Sequence, residues 1–66
     1  MSGGIVNVRE LPVGARLVLT SGVEAVVVSN PGDGVWLFGR VVAADDPARI
    51  GEEDMIFAQD VVALRP

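Results

Sequence analysis

The sequence predicts an all-β fold, and three observations carry that prediction. Apolar runs rich in valine recur in stretches of four to ten residues; Gly or Pro interrupts the chain every few residues; and no segment sustains a 3.6-residue apolar period for three helical turns. The clearest stretch is residues 23–42, where a valine-rich run, the turn Asn30-Pro31-Gly32-Asp33-Gly34 and a second apolar run holding the only tryptophan read as a β-hairpin.

The remaining elements follow from the same signals. Residues 5–9 (Ile-Val-Asn-Val-Arg) are β-branched and partly alternating, as an edge strand would be, and Leu11-Pro12-Val13-Gly14 ends them in a turn, because proline lacks the ladder N–H. Residues 16–20 form the next predicted strand, Ser21-Gly22 a tight turn, and residues 23–29 the strand after it. Beyond the Asn30 loop, residues 35–44 make a long strand with Gly39 as an expected bend or bulge. Residues 45–51, broken by Pro47 and Gly51, read as a loop or a single helical turn. A short strand centred on Met55-Ile56-Phe57-Ala58 comes next, then a brief helical turn capped by Asp60, then a closing strand over residues 61–64.

Leu11-Pro12-Val13-Gly14 leading into residues 16–20, the Ser21-Gly22 turn, and Phe57-Ala58-Gln59-Asp60-Val61-Val62 before the last strand together resemble the architecture of SH3-like small barrels. The resemblance implies one domain over residues 1–66, a small barrel of five or six short strands with one short helical turn near the C-terminus. Closure would remove exposed strand edges. That architecture hosts protein, peptide and nucleic-acid binding alike, so it does not by itself choose a function.

Size and composition narrow the field. A 66-residue chain buries only about 60% of the surface its unfolded form exposes, and small folds of this kind are commonly reinforced by disulfides, a metal or a partner. With no Cys and no His, disulfides and the usual zinc sites are excluded, which leaves a partner chain; no cofactor is expected. The charged set is five Arg, no Lys and nine acids, for a net charge of -4. Phosphate binding depends on clustered cations, and Arg9, Arg16, Arg40, Arg49 and Arg65 form no run, so nucleic acid is disfavoured as a partner. No apolar stretch approaches the roughly 20 residues needed to cross a bilayer. Met1-Ser2-Gly3-Gly4 lacks the basic start and apolar core of a secretory signal, so no membrane association is expected, and a cytoplasmic location follows by default.

Alternation across the hairpin assigns its faces. With a three- or five-residue loop, Val28 lies opposite Trp36, Val26 opposite Phe38 and Glu24 opposite Arg40 on one face, and Val27, Leu37, Ala25, Gly39, Val23 and Val41 share the other. This register sets an acid against a base, worth about 0.2–1 kcal/mol. A two-residue turn at Ser21-Gly22 would put Leu17 and Leu19 on the Trp36 face, and a three-residue turn would put them on the Leu37 face. If the face holding Leu17 and Leu19 is the core, the first case leaves Val18, Val23, Val27, Leu37 and Val41 outside it, and the second leaves Val18, Val26, Val28, Trp36 and Phe38. In either case the sheet holds more apolar surface than one face can hide, unless residues 1–13 or 50–64 lie across the second.

The chemical candidates are few. Nucleophilic catalysis requires an activated nucleophile and a base near neutral pKa, and the hydroxyls of Ser2, Thr20, Ser21 and Ser29 have only carboxylates for company, so no enzyme is expected. Asp45-Asp46 and Glu52-Glu53-Asp54 read as solvated loop acids, not as a hard-cation site. Asn30-Pro31-Gly32-Asp33-Gly34 has neither the Walker spacing nor the EF-hand ladder and reads as turn chemistry. The expected function is therefore a non-catalytic accessory or assembly subunit that docks by an apolar sheet face, with Trp36, Phe38, Arg40, Val26 and Val28 as partner-binding residues, onto itself as a homo-oligomer or onto a larger protein. The alternatives are a nucleic-acid-binding barrel using the same aromatic and arginine face and a peptide- or small-ligand-binding module.

Overall fold

The computed structural model describes residues 8–65. It is all-β: five antiparallel strands in one sheet, β1 (Arg16–Leu19), β2 (Glu24–Ser29), β3 (Trp36–Ala43), β4 (Glu53–Phe57) and β5 (Val61–Arg65), in the order β4-β3-β2-β1-β5. Three 3-10 turns, Val8–Glu10, Pro47–Arg49 and Ala58–Asp60, join or precede the strands. Among the described residues no helix is long and apolar enough to cross a membrane.

β4 and β5 stand at opposite ends of the strand order, yet only the turn Ala58–Asp60 separates them in the chain. The sheet must therefore curl strongly, and Ile56 of β4 and Val61 of β5 share one apolar cluster with Leu17, Ala25, Val27 and Leu37. No ladder joins β4 to β5, so the sheet is open; the closed barrel of the sequence reading is not what the strand pairing forms. The inner, concave side is the core. Leu17, Ala25, Val27 and Leu37 are essentially inaccessible, and Val8 and Leu11 from the segment before β1 complete the cluster.

Several expectations are adjusted. The predicted strand over residues 5–9 falls mostly outside the described residues, and its last two, Val8 and Arg9, belong to a 3-10 turn. The turn before β5 has Phe57 at its N-cap with no side-chain cap bond, and Asp60 is its last residue, not its cap. Gly39 is not a bulge. It pairs regularly with Val27 and Asp54, and a Cβ there would stand 2.5 Å from Cδ1 of Ile56, so the glycine makes room for Ile56 to reach across the sheet into the core.

The β1–β2 connection is the three-residue form: Leu19 N–H donates to Val23 O (2.8 Å) and Gly22 N–H to Leu19 O (2.9 Å), with Gly22 at φ +85. Leu17 therefore faces the core with Leu37. The β2–β3 register differs from the expected one by two residues. Val26 pairs with Arg40, Ala25 with Val41 and Val27 with Gly39, with irregularities between Val27 and Ser29 and between Glu24 and Ala25. An even slide keeps every side chain on its expected face but changes its neighbours. Arg40 pairs with Glu53 instead of Glu24, while Glu24 takes Arg16 and Arg65.

The Asn30 loop is fastened to the core by a side chain. Asn30 Nδ2 donates to both Val8 O and Leu11 O (2.9 Å each), while its Oδ1 accepts from Gly32 N–H (3.0 Å). One amide thus bonds the carbonyls of Val8, which opens the first 3-10 turn, and of Leu11, which follows it, and closes an Asx turn at its own position.

Candidate functional face

The outer, convex side of the sheet carries the candidate site. Register on β3 and β4 places Trp36 opposite Phe57, Phe38 opposite Met55 and Arg40 opposite Glu53. Val41 N–H donates to Glu52 O and Ala58 N–H to Val35 O (2.8 Å each), so hydrogen-bonded pairs fall at the odd positions of β3. The three outer pairs are then the non-hydrogen-bonded ones, whose side chains approach most closely. Trp36 and Phe38 meet edge-on, with ring centroids 5.1 Å apart and planes at 83°, an arrangement worth about 0.5–1.5 kcal/mol beyond area burial.

All five residues singled out from the sequence lie on this side. Trp36, Val26 and Val28 are half-buried, and Phe38 and Arg40 are exposed. Met55 and Phe57 were missed. They extend the aromatic pair onto β4 and, at 42% and 44% exposure against 39% for Phe38, are at least as open as the residues expected there. The readable signal was Ile56: once its side chain is assigned to the core, alternation sends Met55 and Phe57 outward.

Charge borders the apolar cluster on one side as compensated pairs. Across the sheet one outer row runs Arg65, Arg16, Val26, Arg40, Glu53 through successive pairings. Arg40 Nη2 donates to Glu53 Oε2 at 2.6 Å, and Glu24 receives Arg16 Nε at 2.9 Å and Arg65 Nη2 at 3.0 Å. The Arg65 guanidinium first, with Arg16 adding to it, holds the Glu24 carboxyl below the usual carboxylate range, although partial desolvation works in the opposite direction.

The same alternation makes the N–H groups of Glu53, Met55 and Phe57 point away from β3, toward the free edge of β4. Asp54 Oδ1 accepts from Met55 N–H at 2.8 Å, which occupies one edge donor and puts a carboxylate there, a means of discouraging strand addition. Among the described residues no group of three or more His, Cys, Asp or Glu is placed to hold a metal ion.

A cavity of about 350 Å³ opens beside the aromatic cluster, lined by Val13, Gly14, the stretch Val26-Val27-Val28, Val42 and Arg40. It lies where the regular pairing breaks on both sides of Val27. Gly14 N–H donates to Val27 O and Val27 N–H to Ala15 O (2.9 Å each), so Gly14 and Ala15 together oppose one residue, with Gly14 at φ +95. Val28 is the unpaired residue between Val27 and Ser29 on the β3 side. Bulges increase local twist, and here they separate the outer side chains enough to leave a hollow.

No family model matches the chain, and no curated protein or solved structure matches it.

Proposed function

We propose that the chain is a non-catalytic accessory or assembly subunit, a small SH3-like β domain of the cytoplasm that docks through the outer face of its sheet onto a larger protein or a second copy of itself. The strand order, with β5 returning beside β1 after a single 3-10 turn, supports the SH3-like reading. The observation that carries the docking reading is the division of apolar residues. The core is complete on the inner face, while Phe38, Met55 and Phe57 stay exposed beside Trp36 on the outer one. Contiguous apolar surface rimmed by charge is characteristic of protein contact sites, and aromatic residues, Met and Arg are enriched in them. The convex shape suits a partner's groove better than a flat surface.

One observation favours a second reading. Arg16, Arg40 and Arg65 share an outer row that begins beside Phe38 at Arg40 and runs across β2 to β1 and β5, an aromatic and arginine face of the kind a nucleic-acid platform uses. Their pairing with Glu24 and Glu53 nearly neutralises that row, which ranks this reading below the first.

The test compares the wild-type chain with a Phe38→Ser/Phe57→Ser variant in sedimentation velocity and then as baits for affinity purification from the native host. Docking predicts an oligomer or co-purifying protein that the variant loses while its circular dichroism stays unchanged. A monomer whose co-purifying set is identical for both baits overturns it. Salt-sensitive binding of a single-stranded oligonucleotide, lost in Trp36→Ala, would establish the second reading in its place.

A further inference from the structure

We infer that the hollow between Val13, Val26, Val28 and Val42 is a binding site for a small molecule combining a short branched apolar chain with a carboxylate. Its volume of about 350 Å³ falls at the lower end of small-ligand sites, which are mostly apolar with a few polar groups that fix orientation. Four valine side chains supply the walls, and Arg40 is the only charged residue among the lining.

Arg40 determines the ligand's polar end. Its guanidinium offers five donors in a planar fork that matches a carboxylate through two parallel bonds. Among the described residues it makes one such bond, from Nη2 to Glu53 Oε2, leaving Nε and Nη1 without a protein partner. Both members of that pair are about half exposed, so the contact is exchangeable and contributes little stability. Glu53 engages only Nη2, so a ligand carboxylate would take the remaining donors or displace Glu53 while the branched chain enters the hollow. An amine would be repelled by Arg40, and an alcohol would lack the charge-assisted bond. The hollow lies beside the aromatic cluster, and this inference does not depend on that cluster docking a protein.

The experiment is an amide-resolved NMR titration of the full chain with isocaproate, and separately with isoamylamine, isoamyl alcohol and N-acetylleucine. Saturable shifts at Gly14, Val26, Val28 and Val42 are expected with isocaproate, with at least tenfold weaker binding of the amine and alcohol. N-acetylleucine tests whether the same carboxylate chemistry reaches the site from a peptide C-terminus, and its tighter binding would overturn the free acid as the preferred source. Arg40→Gln should weaken isocaproate at least tenfold. Glu53→Gln removes the competitor at an exposed position and should tighten it severalfold, a response that a purely apolar hollow would not give. Equal binding of acid and amine, no saturable shift, or indifference to Glu53→Gln would each overturn the assignment.

Discussion

Leu37 and Phe38 are adjacent on β3, yet Leu37 is 0% exposed and Phe38 39%. The same contrast repeats along the sheet, with Val27 and Ala25 inside and Val26 and Val28 outside. Apolar character alone does not distinguish the two faces: aliphatic side chains fill the inner one, and valine, methionine and all the aromatic residues described line the outer one. What separates them is geometry: a three-residue turn that brings Leu17 to the Leu37 side, and a curl that folds one face around a shared core. The difference teaches that hydrophobicity alone is a poor guide to burial in so short a chain. The outer residues are apolar without a core to fill.

The strongest way to break this comparison is at Leu37. Leu37→Ala should cost about 2–5 kcal/mol, and Leu37→Asp should leave no cooperative transition in urea, whereas the Phe38→Ser change one position along should leave a cooperative transition and cost about 1–2 kcal/mol, chiefly the edge-on contact with Trp36. Similar losses at both positions would show that the faces are not distinct. Gly39→Val tests the crossing point between them. Because Ile56 already occupies the space over Gly39, overpacking should cost about 1–3 kcal/mol, and the companion change Ile56→Val should recover part of it.

Asn30→Ala removes two donors from carbonyls of the Val8–Leu11 segment, and about 1–3 kcal/mol should be lost with faster amide exchange at Leu11 and Gly32. A smaller effect concerns the outer charges. Because the folded-state pKa of Glu24 is depressed, its ion pairs stabilise the fold above the unfolded carboxylate's ordinary value, and that stabilisation is lost as pH falls through the lower folded-state value. The stability difference between wild type and Glu24→Gln, followed by urea midpoint against pH, should therefore shrink on acidification; a difference that grows would contradict the pairing. The smallest effect is expected for Arg40→Ala, within about 1 kcal/mol, as for an exposed ion pair.

Much of this division was legible in the sequence. Alternation along residues 23–28 and 36–41 separated the two faces as they stand, but the sequence left the length of the Ser21-Gly22 turn open, and with it which face is the core; the three-residue turn of the structure decides for the Leu37 side and leaves Val18, Val26, Val28, Trp36 and Phe38 outside. The partners were not legible. Extra residues at Val28 and Val42 break the β2–β3 ladder, and bulges have no signature in a run of valines, so Glu24 was matched with Arg40 when the pairing slides by two. Asn30 read as a local turn former because its bonds to Val8 and Leu11 span 22 and 19 residues, a distance that local turn chemistry does not encode. Met55 and Phe57 required the β3–β4 register before they could join the site.

The return of β5 to β1 implies an order of assembly as an expectation from topology. Strands β1 to β4 form from neighbouring hairpins, but the seat of β5 lies far back in the chain, where Arg65 meets Glu24 across 41 residues. Closing so long a loop is entropically slow compared with local pairing. Of the five strands β5 is the last in chain order, so its pairing with β1, and the Arg65 bond to Glu24 that accompanies it, is expected to form after the hairpins.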